Sequence, residues 1–328
     1  MTVDAAPSRI HLYRPHNQFG DLLLNVPAIR AVRERFPAAH LTLVVGRQNA
    51  AAVVGQAWAD EVRVVDTKNF IGVARAALRR GPRPDLAISF TTVSYSRSGS
   101  LLVALSGARE RLGFNASRWN ERDAARLTRV VPYPEGTPHQ SEVSMALARA
   151  AGAERKPPPP YFVADAASVA LAPEGAVYLH PGAGKLKNRW PADRFAALAR
   201  ELLHRGREVW LLGGPQDGGT VEAVQASLGR ALPVVRGESI SQLAGRFARA
   251  SLYIGNDTGP LHLAGAVGAP TVGIYGWSDP REWVPVGRLV RTVRAADASL
   301  DSIDPVSVLD AALPLLAMEG TEERCATK

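Results

Sequence analysis

Short apolar segments alternate with longer segments of helical periodicity along almost the whole chain. In the first half, the apolar segments RIHLYR, LTLVV, VRVVD and DLAISF begin at residues 9, 41, 62 and 85. Segments of this length suit buried parallel strands, and the helices between them can cover both faces of a sheet. The alternation therefore predicts an α/β fold with a doubly wound parallel sheet.

The helical segments of this half are predicted at about residues 21–36, 70–80 and 95–105. Pro27 lies inside the first of them. It is expected to kink that helix, because proline lacks the backbone N–H and its ring crowds the preceding turn.

A proline run, KPPPPYF at residues 156–162, interrupts the alternation. Such a run cannot continue a helix and acts as a semi-rigid spacer. A second series then follows, with the apolar segments AVYLH, EVWLLGG, LPVVRG, SLYIGN and PTVGIYG. We therefore predict two domains, 1–156 and 157–328, each built on its own parallel sheet. We also predict a terminal helix at about 305–318, which is free to pack back on the first domain.

The composition is that of a folded globular protein, with 46% hydrophobic and 21% charged residues. No apolar run approaches 18 residues, and the N-terminal MTVDAAPSRIHLYR lacks the pattern of a signal peptide, so we predict a soluble cytoplasmic protein. The single cysteine, Cys325, leaves no disulfide framework and no paired-cysteine metal site.

The positive charge lies in the first half. Residues 1–160 carry 22 Lys and Arg against 13 Asp and Glu, whereas residues 161–328 carry 17 against 18. Eleven arginines but four acids lie between Arg75 and Arg129. This segment is either a solvated face or a surface that attracts an anionic acceptor or membrane. Nucleic acid is not favoured, because the segment carries no recognisable binding motif.

Ligands of open α/β sheets bind at the carboxyl ends of the strands, so the loops that follow strands are the candidate sites. In the first of them, HNQFGDLLLNVP, Gly20 permits a tight turn and Asp21 begins the apolar helix. Aspartate at this point is either an ordinary N-cap or a catalytic carboxylate.

The second loop, HPGAGKLKNRWP, follows AVYLH. Gly182 and Gly184 allow backbone N–H groups to approach a ligand, while Lys187 and Arg189 supply positive charge. This combination indicates either a phosphate-binding loop or a basic surface loop. It is not a P-loop, because the first glycine and the hydroxyl residue of that motif are missing.

Two later loops complete the candidate site. LLGGPQD ends at Asp217, which is either part of a glycine turn or an acceptor for a ribose or amine. In IGNDTGPLHLAGAV, Thr258 and Gly259 lie where a helix N-terminus can direct N–H groups at an anion. Asp257 is then an N-cap or a ligand contact, and His262 is a packed helical residue or a ligand contact. No GxGxxG follows a strand, so the nicotinamide and flavin fingerprint is missing.

Four motifs occur in one order along the chain: GDLLLNVPAIRAVRERFP, RLGF, HPGAGKLKNRWPADRFAALA and GNDTGPLHLAGAVGAPTVGIYGWSDP. In these motifs the sequence resembles the ADP-heptose:lipopolysaccharide heptosyltransferase family, glycosyltransferase family 9, over nearly its whole length. The resemblance implies the GT-B fold, two Rossmann-like domains that face a central cleft. It implies that domain 1–156 binds the acceptor and that domain 157–328 binds the nucleotide-sugar donor.

The resemblance also implies an activity. It is the inverting transfer of a heptose from ADP-heptose to an acceptor hydroxyl in lipopolysaccharide core assembly, with no metal and no cofactor. Asp21 would be the catalytic base. The donor contacts implied by the matching motifs are Gly182, Gly184, Lys187 or Arg189, Asp217, Asp257, Thr258, Gly259 and His262.

The sequence departs from the family at one position. Members usually place the phosphate-contacting lysine two residues before the Trp-Pro pair, but Asn188 stands there in this chain, between Lys187 and Arg189. The identity of the diphosphate cation is therefore left open between these two neighbours.

The acceptor implied is a phosphorylated or Kdo-bearing inner core, reached by peripheral contact with the cytoplasmic face of the inner membrane. Its expected contacts are Arg97, Arg118 and Arg122 of the arginine-rich segment.

Two alternatives to this function stay open. One is a transferase of the same fold that uses another nucleotide sugar or a small-molecule acceptor. The other is a non-catalytic module that binds nucleotide sugars.

Overall fold

The computed structural model describes residues 6–67, 73, 82–93, 96–114, 126–215 and 217–318. The chain divides into two compact units, Met1–Pro158 and Pro159–Lys328. The division falls within the proline run, two residues beyond the boundary expected from the sequence.

The first unit is built on a six-stranded sheet whose neighbouring strands all pair in parallel. Its strands are Arg9–Arg14 (β1), His40–Gly46 (β2), Glu61–Val65 (β3), Leu86–Ser89 (β4), Glu110–Phe114 (β5) and Arg129–Val131 (β6). The spatial order is β3-β2-β1-β4-β5-β6, the order of a dinucleotide-binding Rossmann sheet. Strands β1 and β4 form the switch point at which the order reverses.

Four α-helices and one short 3-10 helix, Arg47–Asn49, of the first unit have bounds within the described residues. The α-helices are Phe19–Arg35 (α1), Ala50–Val53 (α2), Arg97–Leu105 (α3) and Gln140–Ala150 (α4). Helix α1 runs through Pro27 as one helix, and it packs on α4, where Ser144 Oγ donates to the Leu24 carbonyl at 3.2 Å. The helix predicted at 70–80 lies almost wholly outside the described residues.

The second unit repeats the same plan. Its strands are Val177–His180 (β7), Val209–Gly213 (β8), Val234–Arg236 (β9), Leu252–Asn256 (β10), Thr271–Tyr275 (β11) and Val290–Arg294 (β12). They form a second parallel sheet in the order β12-β11-β10-β7-β8-β9, with its switch point between β7 and β10. The predicted doubly wound α/β architecture is confirmed in both units.

Helices cover both faces of this second sheet. They are Ala166–Leu171 (α5), Ala192–His204 (α6), Gly218–Leu228 (α7), Ile240–Arg249 (α8), Gly259–Val267 (α9), Pro280–Trp283 (α10) and Pro305–Ala317 (α11). The terminal helix α11 packs against α6, β11 and β12 of its own unit. Its buried residues, Val308, Leu309, Ala312, Leu315 and Leu316, recur at the spacing of one helical face.

Within the described residues, no helix is both long enough and apolar enough to span a bilayer.

Candidate active site

The first candidate residue, Asp21, lies at the switch point of the first sheet. Strand β1 ends at Arg14, and helix α1 begins at Phe19, so Asp21 occupies the first turn of that helix. The N-cap is Gln18, whose side chain makes no capping bond. The N-cap interpretation of Asp21 is therefore wrong, because the helix begins two residues before it.

The Asp21 carboxylate forms an ion pair with Arg14. Arg14 Nη2 lies 3.0 Å from Asp21 Oδ2, with 2% of the arginine side chain and 22% of the aspartate side chain exposed. Burial lowers the pKa of Arg14, and the charge of Asp21 opposes that effect. A buried guanidinium thus fixes the carboxylate while part of it stays open to solvent.

His16 contacts the other side of this guanidinium, through Nδ1 and Arg14 Nη1. Burial, with the nearby charge of Arg14, lowers the pKa of His16 to about 4, so its ring is neutral at pH 7. Because a neutral imidazole can accept from Arg14, this contact orients the guanidinium without opposing its charge. Sequence reasoning missed Arg14, and the available signal was a charged residue at the end of an apolar strand.

The predicted acceptor contacts are only partly covered by the structure. Arg97 is exposed and is the first residue of α3, directly after its N-cap Ser96. Arg118 and Arg122 lie outside the described residues.

The second candidate region is the loop 181–190, which follows β7. Asn256, the fully buried last residue of β10, forms hydrogen bonds with both ends of this loop. Its Nδ2 donates to the carbonyls of Pro181 and Gly182 at 3.0 and 3.2 Å, and its Oδ1 accepts from the Trp190 N–H at 3.0 Å. The amide of Asn256 therefore fixes the loop against the end of the neighbouring strand.

Arg189 also acts inside this loop. Its Nε donates to the Ala183 carbonyl at 2.8 Å, and its Nη1 donates to Thr220 Oγ1 at 2.9 Å. Its Nη2 lies 3.8 Å from Asp217 Oδ1. The guanidinium is thus used to join the loop to the start of α7.

Asp217 lies at the N-cap of α7 and faces inward. Its Oδ2 accepts from the Gly214 N–H at 2.9 Å and lies 3.3 Å from His180 Nε2. The bond from His180 is the main cause that lowers the pKa of Asp217, and the Gly214 N–H adds to it. Asp217 is therefore an internal anchor of the site, and its contact with a ribose stays a prediction.

The N-terminus of α9 is a candidate anion site of this unit. Thr258 is its N-cap, in an extended conformation, so the N-cap interpretation of Asp257 is wrong. Thr258 Oγ1 lies 3.2 Å from the Asn256 carbonyl and 3.3 Å from His180 Nδ1, and it makes no capping bond. Pro260 has no N–H and the His262 N–H donates to the Thr258 carbonyl at 3.3 Å, so the first turn offers the N–H groups of Gly259 and Leu261, which the Thr258 side chain does not cap. Uncapped N–H groups of this kind suit an anion.

Asp257 and His262 flank this terminus. His262 Nε2 lies 3.5 Å from Asp257 Oδ1, and the histidine is buried. Its Nδ1 makes no hydrogen bond with any described residue. The two predicted donor residues are thus brought together, next to Thr258 and Gly259.

Lys187 lies on the short turn Leu186–Asn188 and is exposed. Its Nζ is 4.5 Å from the centre of the Trp277 ring, and Trp277 Nε1 donates to Asn188 Oδ1 at 2.7 Å. Of the two glycines of this loop, Gly182 is buried and Gly184 is exposed.

No group of three or more His, Cys, Asp or Glu side chains that could hold a metal ion occurs in the part of the chain that the structure describes.

Known proteins are similar to this chain in sequence. The family model described as glycosyltransferase family 9 (heptosyltransferase) matches residues 82–309, well over half of the chain. The chain belongs to glycosyltransferase family 9. A curated relative of this family member is lipopolysaccharide heptosyltransferase 2 of Salmonella typhimurium, 30% identical over 152 residues, which cover 40% of this chain and 44% of the relative. The first curated relatives are matched over 34%, 44% and 32% of their own lengths.

Solved structures share the fold of this chain. The glycosyl transferase family 9 protein of Veillonella parvula superposes with a TM-score of 0.83 at 21% identity, over 94% of this chain and 97% of that one. The E. coli heptosyltransferase WaaC with ADP superposes with a TM-score of 0.78 at 18% identity, over 94% and 99%. A more distant structure, the dodecameric iron-containing heptosyltransferase TibC in complex with ADP-D-beta-D-heptose, gives 0.57 at 13%, over 94% and 76%.

Proposed function

We propose that this transferase moves a heptose from ADP-heptose to a hydroxyl of an anionic glycan or glycolipid, with inversion, in lipopolysaccharide core assembly. The observation that carries the proposal is the uncapped N-terminus of α9 beside Asp257 and His262. A helix N-terminus of this kind binds the diphosphate of a nucleotide sugar through N–H groups and the helix dipole. WaaC, which shares the fold, is a heptosyltransferase solved with ADP.

The proposal assigns proton removal to Asp21. Its carboxylate takes the proton of the acceptor hydroxyl as that oxygen attacks the anomeric carbon and the bond from this carbon to the diphosphate oxygen breaks. Arg14 holds the carboxylate in one orientation through the 3.0 Å ion pair. An oriented base is favourable because proton transfer needs the two heavy atoms within about 3 Å.

The leaving group is ADP, and its developing negative charge must be stabilised. The N–H groups at the start of α9 and the ammonium of Lys187 are suited to this task, since both are positive and neither is neutralised by a carboxylate in the contacts described above. Arg189 is less suited because it is used to hold the loop. We therefore choose Lys187 over Arg189 as the diphosphate cation.

The direct test is release of ADP from ADP-heptose in the presence of a Kdo-bearing core oligosaccharide. A thermal-shift panel of nucleotide sugars identifies the donor, since a ligand at 100 times its Kd adds about 2.7 kcal/mol to the stability of the folded state. Stabilisation by a different nucleotide sugar alone would favour the transferase with another donor. Binding of ADP-heptose without turnover on any acceptor would favour a non-catalytic module.

Metal independence is a separate prediction. We expect 5 mM EDTA to leave the rate of ADP release unchanged, because the proposed charge stabilisation uses N–H groups and a lysine. The control adds MgCl₂ or an iron(II) salt after EDTA. A rate that falls with EDTA and returns with one of these metals would contradict the prediction and would associate this chain with the iron-containing TibC.

The arginine-rich segment is proposed to bind the acceptor. We expect Arg97→Glu, Arg118→Glu and Arg122→Glu together to raise the acceptor KM and to weaken its dependence on salt. Donor Kd should not change, because the donor residues lie in the nearly neutral half of the chain. The effect should be largest at low ionic strength, since exposed charges more than about 10 Å apart are screened at 0.1 M salt.

Titration of both substrates at 20 and 200 mM NaCl measures these effects. Equal losses for donor and acceptor would show that the arginines support the fold. An unchanged KM would show that they form a solvated face.

A further inference from the structure

Lys187, Asn188 and Trp277 form a bridge between two loops of the second unit. The Lys187 Nζ lies 4.5 Å from the centre of the Trp277 ring, and the indole N–H donates to Asn188 Oδ1 at 2.7 Å. Trp277 remains 53% exposed despite these contacts. A large exposed aromatic ring held by a hydrogen bond and covered by a cation is an arrangement that packing alone does not require.

The sheet topology places this bridge at the edge of the sheet where α9 begins. The loop with Lys187 follows β7, the loop with Trp277 follows β11, and β10 lies between these two strands. The two outer loops therefore meet at the sheet edge where β10, the strand between them, also ends. That end continues through Asp257 and Thr258 into the N-terminus of α9.

The lower part of the first loop is held in place independently. Asn256 binds the carbonyls of Pro181 and Gly182 and the N–H of Trp190, so the segment that carries Lys187 is fixed on both sides. Between these fixed points, the Lys187 ammonium contacts the Trp277 ring.

The position of the lysine in the sequence explains why such a guide is needed. The family resemblance places the phosphate-contacting lysine at the position that Asn188 occupies. Residues 186–188 form a turn with about three residues per revolution, so adjacent side chains leave it in directions roughly 120° apart. A lysine moved by one position would point away from its former direction unless another group redirected it.

We propose that Trp277 is a positioning residue that holds the Lys187 ammonium over the N-terminus of α9, where it meets the donor diphosphate, and that Asn188 orients the indole. This inference rests on the proposed function, because it supposes a diphosphate donor at this helix. The cation–π contact suits the role, since it fixes the ammonium while leaving its N–H groups to bind phosphate oxygens.

The test measures the Kd of ADP by calorimetry for the full chain and for four variants. Lys187→Ala should weaken ADP binding about 10-fold or more, because a charge-assisted hydrogen bond is lost. Trp277→Ala should weaken it about 2–5-fold, the size of an exposed cation–π contact. Trp277→Ala in the Lys187→Ala background should have no further effect. Trp277→Phe keeps an aromatic face and should retain most of the affinity.

A position swap provides the matched control. In the double variant Lys187→Asn with Asn188→Lys, the lysine returns to the usual family position and no longer depends on the ring. In this variant, adding Trp277→Ala should lower the ADP affinity less than it does in the parent, and an equal loss in the two backgrounds would overturn the inference. Melting temperatures of all variants show whether each remains folded, which the exposure of Trp277 favours.

Independent losses from Trp277→Ala and Lys187→Ala would overturn the inference and would indicate that the indole contacts the nucleotide itself. An unchanged Kd in Trp277→Ala would also overturn it. In both cases ADP still binds the parent protein, so the proposed function stands. If the parent binds neither ADP nor pyrophosphate, the proposed donor is wrong and the inference fails with it.

Discussion

Asp21→Asn is expected to lower kcat by about 10²–10⁴-fold while it leaves the Kd of the donor within a few-fold. Asparagine has nearly the same shape, and its amide oxygen can still accept from Arg14, but it cannot take up the proton of the acceptor hydroxyl. Initial rates of ADP release, with donor Kd measured separately by calorimetry, separate loss of chemistry from loss of binding.

The same variant removes a negative charge beside a buried arginine, so its stability must be measured as well. Loss of one partner of a buried ion pair costs roughly 3–5 kcal/mol, and here the partial exposure of Asp21 and the retained hydrogen bond should reduce that cost. Glu34→Gln is the matched control, because Glu34 lies in the last turn of the same helix and pairs at 3.9 Å with Arg30 near the surface. Turnover close to that of the parent in Asp21→Asn would show that Asp21 serves only as the counter-ion of Arg14.

Gly182→Ala should remove ADP binding and destabilise the second unit by about 1–3 kcal/mol. A Cβ at this position would overlap the carboxylate of Asp217, which is itself held by His180 and the Gly214 N–H. Either the loop or Asp217 must move, and the proposed donor site includes both of them. Thermal unfolding should show a lower Tm, by roughly 2–4 °C for each kcal/mol in a domain of this size.

Gly184→Ala in the same loop is the control, since a Cβ there meets no heavy atom within 4 Å. It should keep the Tm of the parent. Equal behaviour of the two variants would mean that the close approach of Gly182 to Asp217 is not important for the donor site.

Most of the strands that the sequence predicted are buried on both faces, although the edge strands β3 and β9 were predicted as well. Strands β1, β2, β7, β10 and β11 read as continuous apolar segments, and the burial of nearly all their residues explains why. Strands β5, β6 and β12 were not predicted. In β12, VRTVR, no residue is fully buried, because it is an edge strand, and its apolar pattern is correspondingly weak.

The sequence identified candidate site residues, but it did not predict which ion pairs and hydrogen bonds these residues form. The motifs located Asp21, Asp257 and His262, yet the ion pair of Asp21 with Arg14 joins a strand to a helix and leaves no local pattern. Likewise, Lys187 and Arg189 are equivalent cations in the sequence. The long-range bonds of Arg189 to Thr220 and of Trp277 to Asn188 distinguish them.

The bonds of Asn256 also bear on how the chain folds. They join residues 66 and 75 positions apart, and strand β10 must enter the sheet between β7 and β11 before they can form. Closing such long loops is slow relative to the formation of local turns and helices. We therefore expect the loop that precedes Trp190 to reach its final conformation only after β7 and β10 have paired. A nucleotide that requires this loop will bind only chains that have completed that step, so nucleotide binding reports the end of folding and not its beginning.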